Sequence, residues 1–185
     1  MISTNDVKPG MALELDDGLF AIIEHQHVKP GKGRAFVKMK LKKLETGQVL
    51  ERTFRADENV SQAIIDRRDH QYLYRDHLGH HFMDLEHYGQ IVLSQEDVAE
   101  AAPYLVDGMT VSLSMFEGTP VGVDLPASVE LGVAYAEPGV KGDTRTGATK
   151  PVKLETGLEI QVPLFVEQGD RVRVDTRTGE YLTRA

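Results

Sequence analysis

Residues 18–55 read GLFAIIEHQHVKPGKGRAFVKMKLKKLETGQVLERTFR, and this stretch decides the fold. Gly18–Lys29 is an apolar, β-branched run in which His25 and His27, two apart, share one face. From Ala35 to Leu44 the pattern alternates, with Lys38, Lys40 and Lys42 on one side and Met39 and Leu41 on the other. A period of two is a strand with one buried face. Glu45-Thr46-Gly47-Gln48 is a turn signal, and Val49–Arg55 reads as the returning strand. Between the first two strands lies Lys29-Pro30-Gly31-Lys32-Gly33-Arg34. Proline fixes one dihedral and the two glycines tolerate positive φ, so this segment predicts a tight, projecting hairpin loop. The first third is then a small, half-open barrel of about five strands.

Working outward, 57–66 is polar, and short strands come after it at Gln71–Arg75, His81–Glu86, Gln90–Leu93, Met109–Phe116 and Thr119–Leu125. Ser94-Gln95-Glu96-Asp97 is an N-cap with a carboxylate three residues on. It predicts one short helix continuing through Ala99–Leu105 and limited by Pro103. Strands at Ser128–Tyr135, Thr149–Glu155, Leu158–Phe165, Arg171–Val174 and Tyr181–Thr183 fill the last third. Short strands at this spacing read as small barrels. The chain therefore divides into 1–64, 65–125 and 126–185. Domains of roughly 60 residues bury too little of their own surface to be robust alone, so they should gain stability from their neighbours. Leu44-Glu45-Thr46-Gly47 recurs as Leu154-Glu155-Thr156-Gly157, and Asp143-Thr144-Arg145-Thr146-Gly147 as Asp175-Thr176-Arg177-Thr178-Gly179. Turn chemistry explains both repeats; barrels built alike are the other account.

Composition removes whole classes of function. The 185 residues contain no Cys, which excludes disulfides, thiolate metal sites and a Cys nucleophile. No run of about 18 apolar residues is present, and Met1–Asp6 carries no secretory signal, so a cytoplasmic protein without membrane contact is expected. The net charge of −8 is unevenly spread. Residues 65–125 hold three Lys+Arg against eleven Asp+Glu, while 29–43 hold seven basic side chains and no acid. One cationic segment on an otherwise anionic chain fits an RNA-rich partner touched at one end.

Enzymatic signals are weak. His77, His80 and His81 cluster near Asp76 and Asp84, which admits a histidine-centred metal hydrolase, but Asp76–His80 reads better as a solvated hairpin turn. Gly31-Lys32-Gly33 joins two strands and lacks the spacing of a phosphate-binding loop. No Ser sits in a nucleophile elbow. No catalytic or metal-binding residue is assigned. What remains is Lys32, displayed between two glycines at the end of a basic β-arm, the electrostatic footprint of phosphate backbone.

The tip 29–36, KPGKGRAF, resembles the modification loop of bacterial translation elongation factor P. Further blocks occur in family order across the chain: Gln71–Tyr74, Phe82–Asp84, Pro138–Thr144, Lys150-Pro151, Leu154–Gly157, Val162–Val166 and Val174–Tyr181. The resemblance implies an all-β molecule in an L shape: an N-terminal SH3-like (KOW-type) barrel followed by two OB-fold barrels. It implies a monomeric, tRNA-like elongation factor that binds the 70S ribosome between the peptidyl-tRNA and exit sites and relieves stalling at consecutive prolines. Lys32 would reach the peptidyl-transferase centre. No cofactor is implied beyond a covalent extension of Lys32, β-lysyl or other, added by a lysine-modifying enzyme. Lys29, Pro30, Gly31, Lys32, Gly33, Arg34, Lys40 and Lys42 would contact peptidyl-tRNA and rRNA. Gly142, Asp143 and Thr144 would contact exit-site mRNA, and Tyr181 and Arg184 would make a C-terminal RNA contact. Two residues depart from the family pattern: Arg34 adds charge beside the tip, and Gly89 stands where an acid is common. A general single-stranded RNA-binding OB-fold protein is the competing reading, with 6% aromatics and an acidic middle barrel against it.

Overall fold

The computed structural model describes residues 1–138 and 147–185. The chain is nearly all β, in three sheets. In the first, β1 (Ile2–Ser3), β2 (Ala12–Leu15), β3 (Gly18–Val28), β4 (Phe36–Lys43), β5 (Val49–Arg55) and β6 (Asn59–Ala63) run in the order β1-β6-β2-β3-β4-β5. The second holds β7 (Asp66–Asp76), β8 (Gly79–Asp84), β9 (Gln90–Leu93), β10 (Thr110–Phe116) and β11 (Thr119–Asp124), ordered β11-β10-β7-β8-β9. The third holds β12 (Ser128–Ala136), β13 (Thr149–Leu154), β14 (Glu159–Pro163), β15 (Arg171–Asp175) and β16 (Tyr181–Arg184), ordered β14-β13-β12-β15-β16. Two compact units emerge, residues 1–68 with 113–122 and residues 69–112 with 123–185.

The alternation along β4 does what its spacing demands. Val37, Met39 and Leu41 are fully buried, and the lysines between them point outward. They join Val7, Leu13, Phe20, Ile22 and Val60 in one aliphatic core. Arg52 closes one side, its guanidinium 5.0 Å above the Phe20 ring and bidentate to the Asp17 carboxylate. That pairing holds the Asp17 carboxyl below its usual range. A second cluster in the same unit sets Ala12, Leu19 and Ala63 against Leu44, Ile65, Phe116 and Val121. The third sheet closes over its own core of Val, Leu and Ile, including Leu131, Leu154 and Val162.

The helix expected over 94–105 does not form. Its cap does: Ser94 Oγ and Asp97 bond reciprocally, with the Asp97 N–H donating to Ser94 Oγ at 3.2 Å. Beyond the cap the chain runs through successive turns into one 3₁₀ turn at Ala102–Tyr104. Helix nucleation is costly, and Pro103 removes a donor before propagation can repay it. Burial of Val98, Ala101 and Leu105 fixes the segment instead.

Candidate functional site

The arm is built from β3 and β4, paired from Phe20↔Lys43 out to Val28↔Phe36. A bulge at Ile23 interrupts the ladder, and bulges sharpen strand twist. The arm is braced on its other edge, because β5 pairs with β4 as far as Phe36↔Arg55. Beyond that, the Ala56 N–H donates to the Ala35 carbonyl at 3.2 Å. The loop 29–35 therefore springs from a three-stranded base. Pro30 is half-buried, while Gly31, Lys32, Gly33 and Arg34 are exposed. Gly33 has φ +117, a conformation that L side chains rarely adopt, and a Cβ there would stand 3.7 Å from Pro30 Cγ. Gly31 takes an ordinary negative-φ conformation with open space around it.

Folding redistributes the charge of this arm. In sequence, 29–43 contains no acid; in space, acids from elsewhere stand opposite. Lys38 lies 3.6 Å from Glu51, Lys40 is 3.7 Å from Glu24, and Lys43 is 3.9 Å from Glu45. The register explains the first two, since Lys40 pairs with both Glu24 and Glu51 and Lys38 flanks them on the same face. Among the described residues, Lys29, Lys32, Arg34 and Lys42 have no acidic partner within salt-bridge distance. Uncompensated positive charge is thus concentrated around the tip. His25 and His27 do share a face, their rings edge-on at 5.5 Å.

The hairpin turn expected at Asp76–His80 forms between β7 and β8, but not all of its histidines are solvated. His80 and His81 are buried; only His77 sits exposed in the turn. Consecutive strand residues point to opposite faces, so His80 and His81 diverge. His80 bridges the Tyr72 hydroxyl and Gln95 Oε1, each at 3.0 Å. His81 stacks on Tyr74 at 4.4 Å and brings Nε2 2.9 Å from Asp76 Oδ1, which lowers the Asp76 pKa. Asp84 accepts the N–H groups of His87 and Glu86, and these bonds hold its carboxyl below the ordinary value. Each side chain is committed to its own neighbours. Among the described residues, no three His, Asp or Glu gather as a metal site.

Gly142, Asp143 and Thr144 lie outside the described residues. Tyr181 is half-buried on β16 and packs against the third core. Arg184 lies 3.8 Å from Asp170 and stacks its guanidinium on Phe165. Phe165 is a residue that sequence reasoning misses as part of a site; its exposure is the signal, and exposure is not visible in sequence.

Family comparison agrees with the three sheets in order. The descriptions "Elongation factor P (EF-P) KOW-like domain", "Elongation factor P (EF-P) OB domain" and "Elongation factor P, C-terminal" match residues 3–60, 65–123 and 129–184. The chain belongs to the elongation factor P family. The elongation factor P of Moorella thermoacetica is 53% identical and that of Symbiobacterium thermophilum 54% identical, each over 185 residues and the full length of both chains. That of Acidothermus cellulolyticus is 52% identical over all of this chain and 99% of its own. Among solved structures, a eukaryotic translation initiation factor 5A from Methanococcus jannaschii aligns with a TM-score of 0.50 at 24% identity. It covers 66% of this chain and 92% of its own, and supports the fold alone. The KOW-like and OB assignments confirm the all-β barrel reading, and the chain is a translation elongation factor. No helix among the described residues is long and apolar enough to cross a membrane.

Proposed function

We propose that this elongation factor binds the 70S ribosome between the peptidyl-tRNA and exit sites and places Lys32 at the peptidyl-transferase centre. There it speeds peptide-bond formation at consecutive prolines. The observation that carries this reading is the braced three-stranded arm with Lys32, Arg34 and Lys29 unpaired at its tip. A rigid arm can enter a narrow passage, and an ammonium group with three donors can fix the phosphates of an acceptor end. The protein then performs no bond chemistry of its own. It orients a sluggish donor, and orientation alone can lower a barrier by several kcal/mol.

In this reading residues 1–64 carry the arm, 65–125 form the acidic barrel, and 126–185 form the C-terminal barrel. Lys29, Pro30, Gly31, Gly33, Arg34, Lys40 and Lys42 line the contact with peptidyl-tRNA and rRNA. Lys40 contributes only by exchanging Glu24 for phosphate, an exchange that costs little because exposed ion pairs are weak. Gly142, Asp143 and Thr144 meet the exit-site mRNA, and Tyr181 and Arg184 complete the RNA contact. A β-lysyl or other group joined to the exposed Lys32 amine lengthens the reach of the tip; the intact mass of the protein from its native host, mapped across Lys32, tests this.

The deciding experiment is Lys32→Ala in a reconstituted translation assay on a polyproline message. The variant should melt with the wild type, since Lys32 touches no core residue, and should lose most of the relief of stalling. Undiminished relief without Lys32 would overturn the role of the tip.

A further inference from the structure

Five of the six phenylalanines are buried or half-buried, and Phe165 is 58% exposed. A phenyl ring has no polar atom to satisfy in water, and the core below is complete without it. The backbone holds the ring outward. The Val166 N–H donates to the Pro163 carbonyl at 3.1 Å, and Val166 is fully buried. Phe165 therefore rides the outside of a tight turn anchored at both ends.

One face of the ring is already covered. The Arg184 guanidinium carbon lies 5.4 Å from the ring centroid, within cation–π range. Asp170 steers that guanidinium from 3.8 Å. Asp170 is itself fixed by a turn in which Glu167 N–H donates to Oδ2 at 3.0 Å and Asp170 N–H to the Glu167 carbonyl at 3.1 Å. With Arg184 on one side, the exposed area belongs to the opposite face and the edge.

We infer that Phe165 and Arg184 form a stacking shelf that receives one unpaired RNA base on the free face of Phe165. This rests on the reading of the chain as a ribosome-bound factor. A base offers a flat π-surface of matching size, and such stacking tolerates any sequence. The ligand is a base rather than a phosphate, because Asp170 already pairs with the Arg184 guanidinium and offsets the charge an anion would seek, while a neutral ring needs only the flat face.

The test uses full-length Phe165→Ala, Phe165→Leu, Phe165→Tyr and Arg184→Gln proteins. They are titrated against stalled 70S ribosomes at several salt concentrations, on messages that fill the exit site or end before it. The Ala and Leu variants should bind about 5- to 150-fold more weakly, the range for loss of one stacked base. Tyr should retain wild-type affinity, and Arg184→Gln should fall between. The salt dependence should not change with Phe165, because no phosphate contact is lost. A loss seen only with a filled exit site assigns the base to mRNA; a loss on both messages assigns it to rRNA or tRNA. Leu keeps an apolar side chain in the turn without a π-face, so the Leu–Tyr contrast separates stacking from folding. A Leu variant that binds like the wild type overturns the shelf while the ribosomal reading stands. A wild-type protein that does not bind ribosomes overturns both.

Discussion

A methyl group added at Gly79 would stand 2.3 Å from the Leu93 carbonyl oxygen, and φ there is +137. Both facts make Gly79→Ala costly, by about 2–3 kcal/mol from backbone strain and displacement of β9 together. Urea melts should show a lowered midpoint. Gly33→Ala is different, since only Pro30 Cγ at 3.7 Å is near and φ +117 is the sole obstacle. It should lower the urea midpoint less than Gly79→Ala does and re-aim the tip, so relief of polyproline stalling should fall by more than the loss of stability explains. Asp84 gives a pH signature. Its folded pKa lies below the ordinary 3.8 because the His87 and Glu86 amides donate to it. On acidification the unfolded chain therefore takes up this proton first. The stability it confers is whole above about pH 4 and is lost as pH falls through the lower folded value. Asp84→Asn does not titrate, so its stability should fall less steeply below about pH 4 in denaturant melts at stepped pH.

At the scale of elements, the arm shows what periodicity can and cannot deliver. The bounds of β5 and β9 are those the pattern predicts, and β3 and β4 differ by one residue at their ends. Lys38, Lys40 and Lys42 announce their face because Met39 and Leu41 must hide on the other. β7 begins at Asp66, five residues before its apolar alternation, because Asp66–Asp69 are exposed on both faces. β1, β2 and β6 escape notice for related reasons: two residues are too few for a period in β1, Ala12 and Leu13 are buried side by side in β2 instead of alternating, and Asn59–Ala63 hides only Val60 and Ala63. Residues 94–105 mislead differently, since their capping signal is genuine and the helix behind it is not. The candidate site is legible at Lys32, where the loop chemistry is local. The partners of Lys38 and Lys40 are not, because Glu24 and Glu51 lie on neighbouring strands and only register brings them opposite. Glu24→Gln with Glu51→Gln should release both lysines and steepen the salt dependence of ribosome binding by one to two units of log–log slope.

For the whole molecule, the number of free cations sets the electrostatic reach. Seven basic residues over 29–43 would give a slope of about −5 to −6 against log salt, whereas Lys29, Lys32, Arg34 and Lys42 alone give about −3. Neutralising those four should therefore flatten the measured slope by about 3. With eleven acids against three basic residues, the middle segment 65–125 is repelled by nucleic acid. The glutamates opposite Lys38 and Lys40 extend that logic into the arm itself. A cell is crowded with RNA that is the wrong RNA, and every unmasked cation lengthens the dwell on each mistaken encounter. By covering half the arm and leaving the tip bare, the fold shortens those dwells. On the proposed ribosomal role, the time saved would go to finding the rare ribosome whose passage is open.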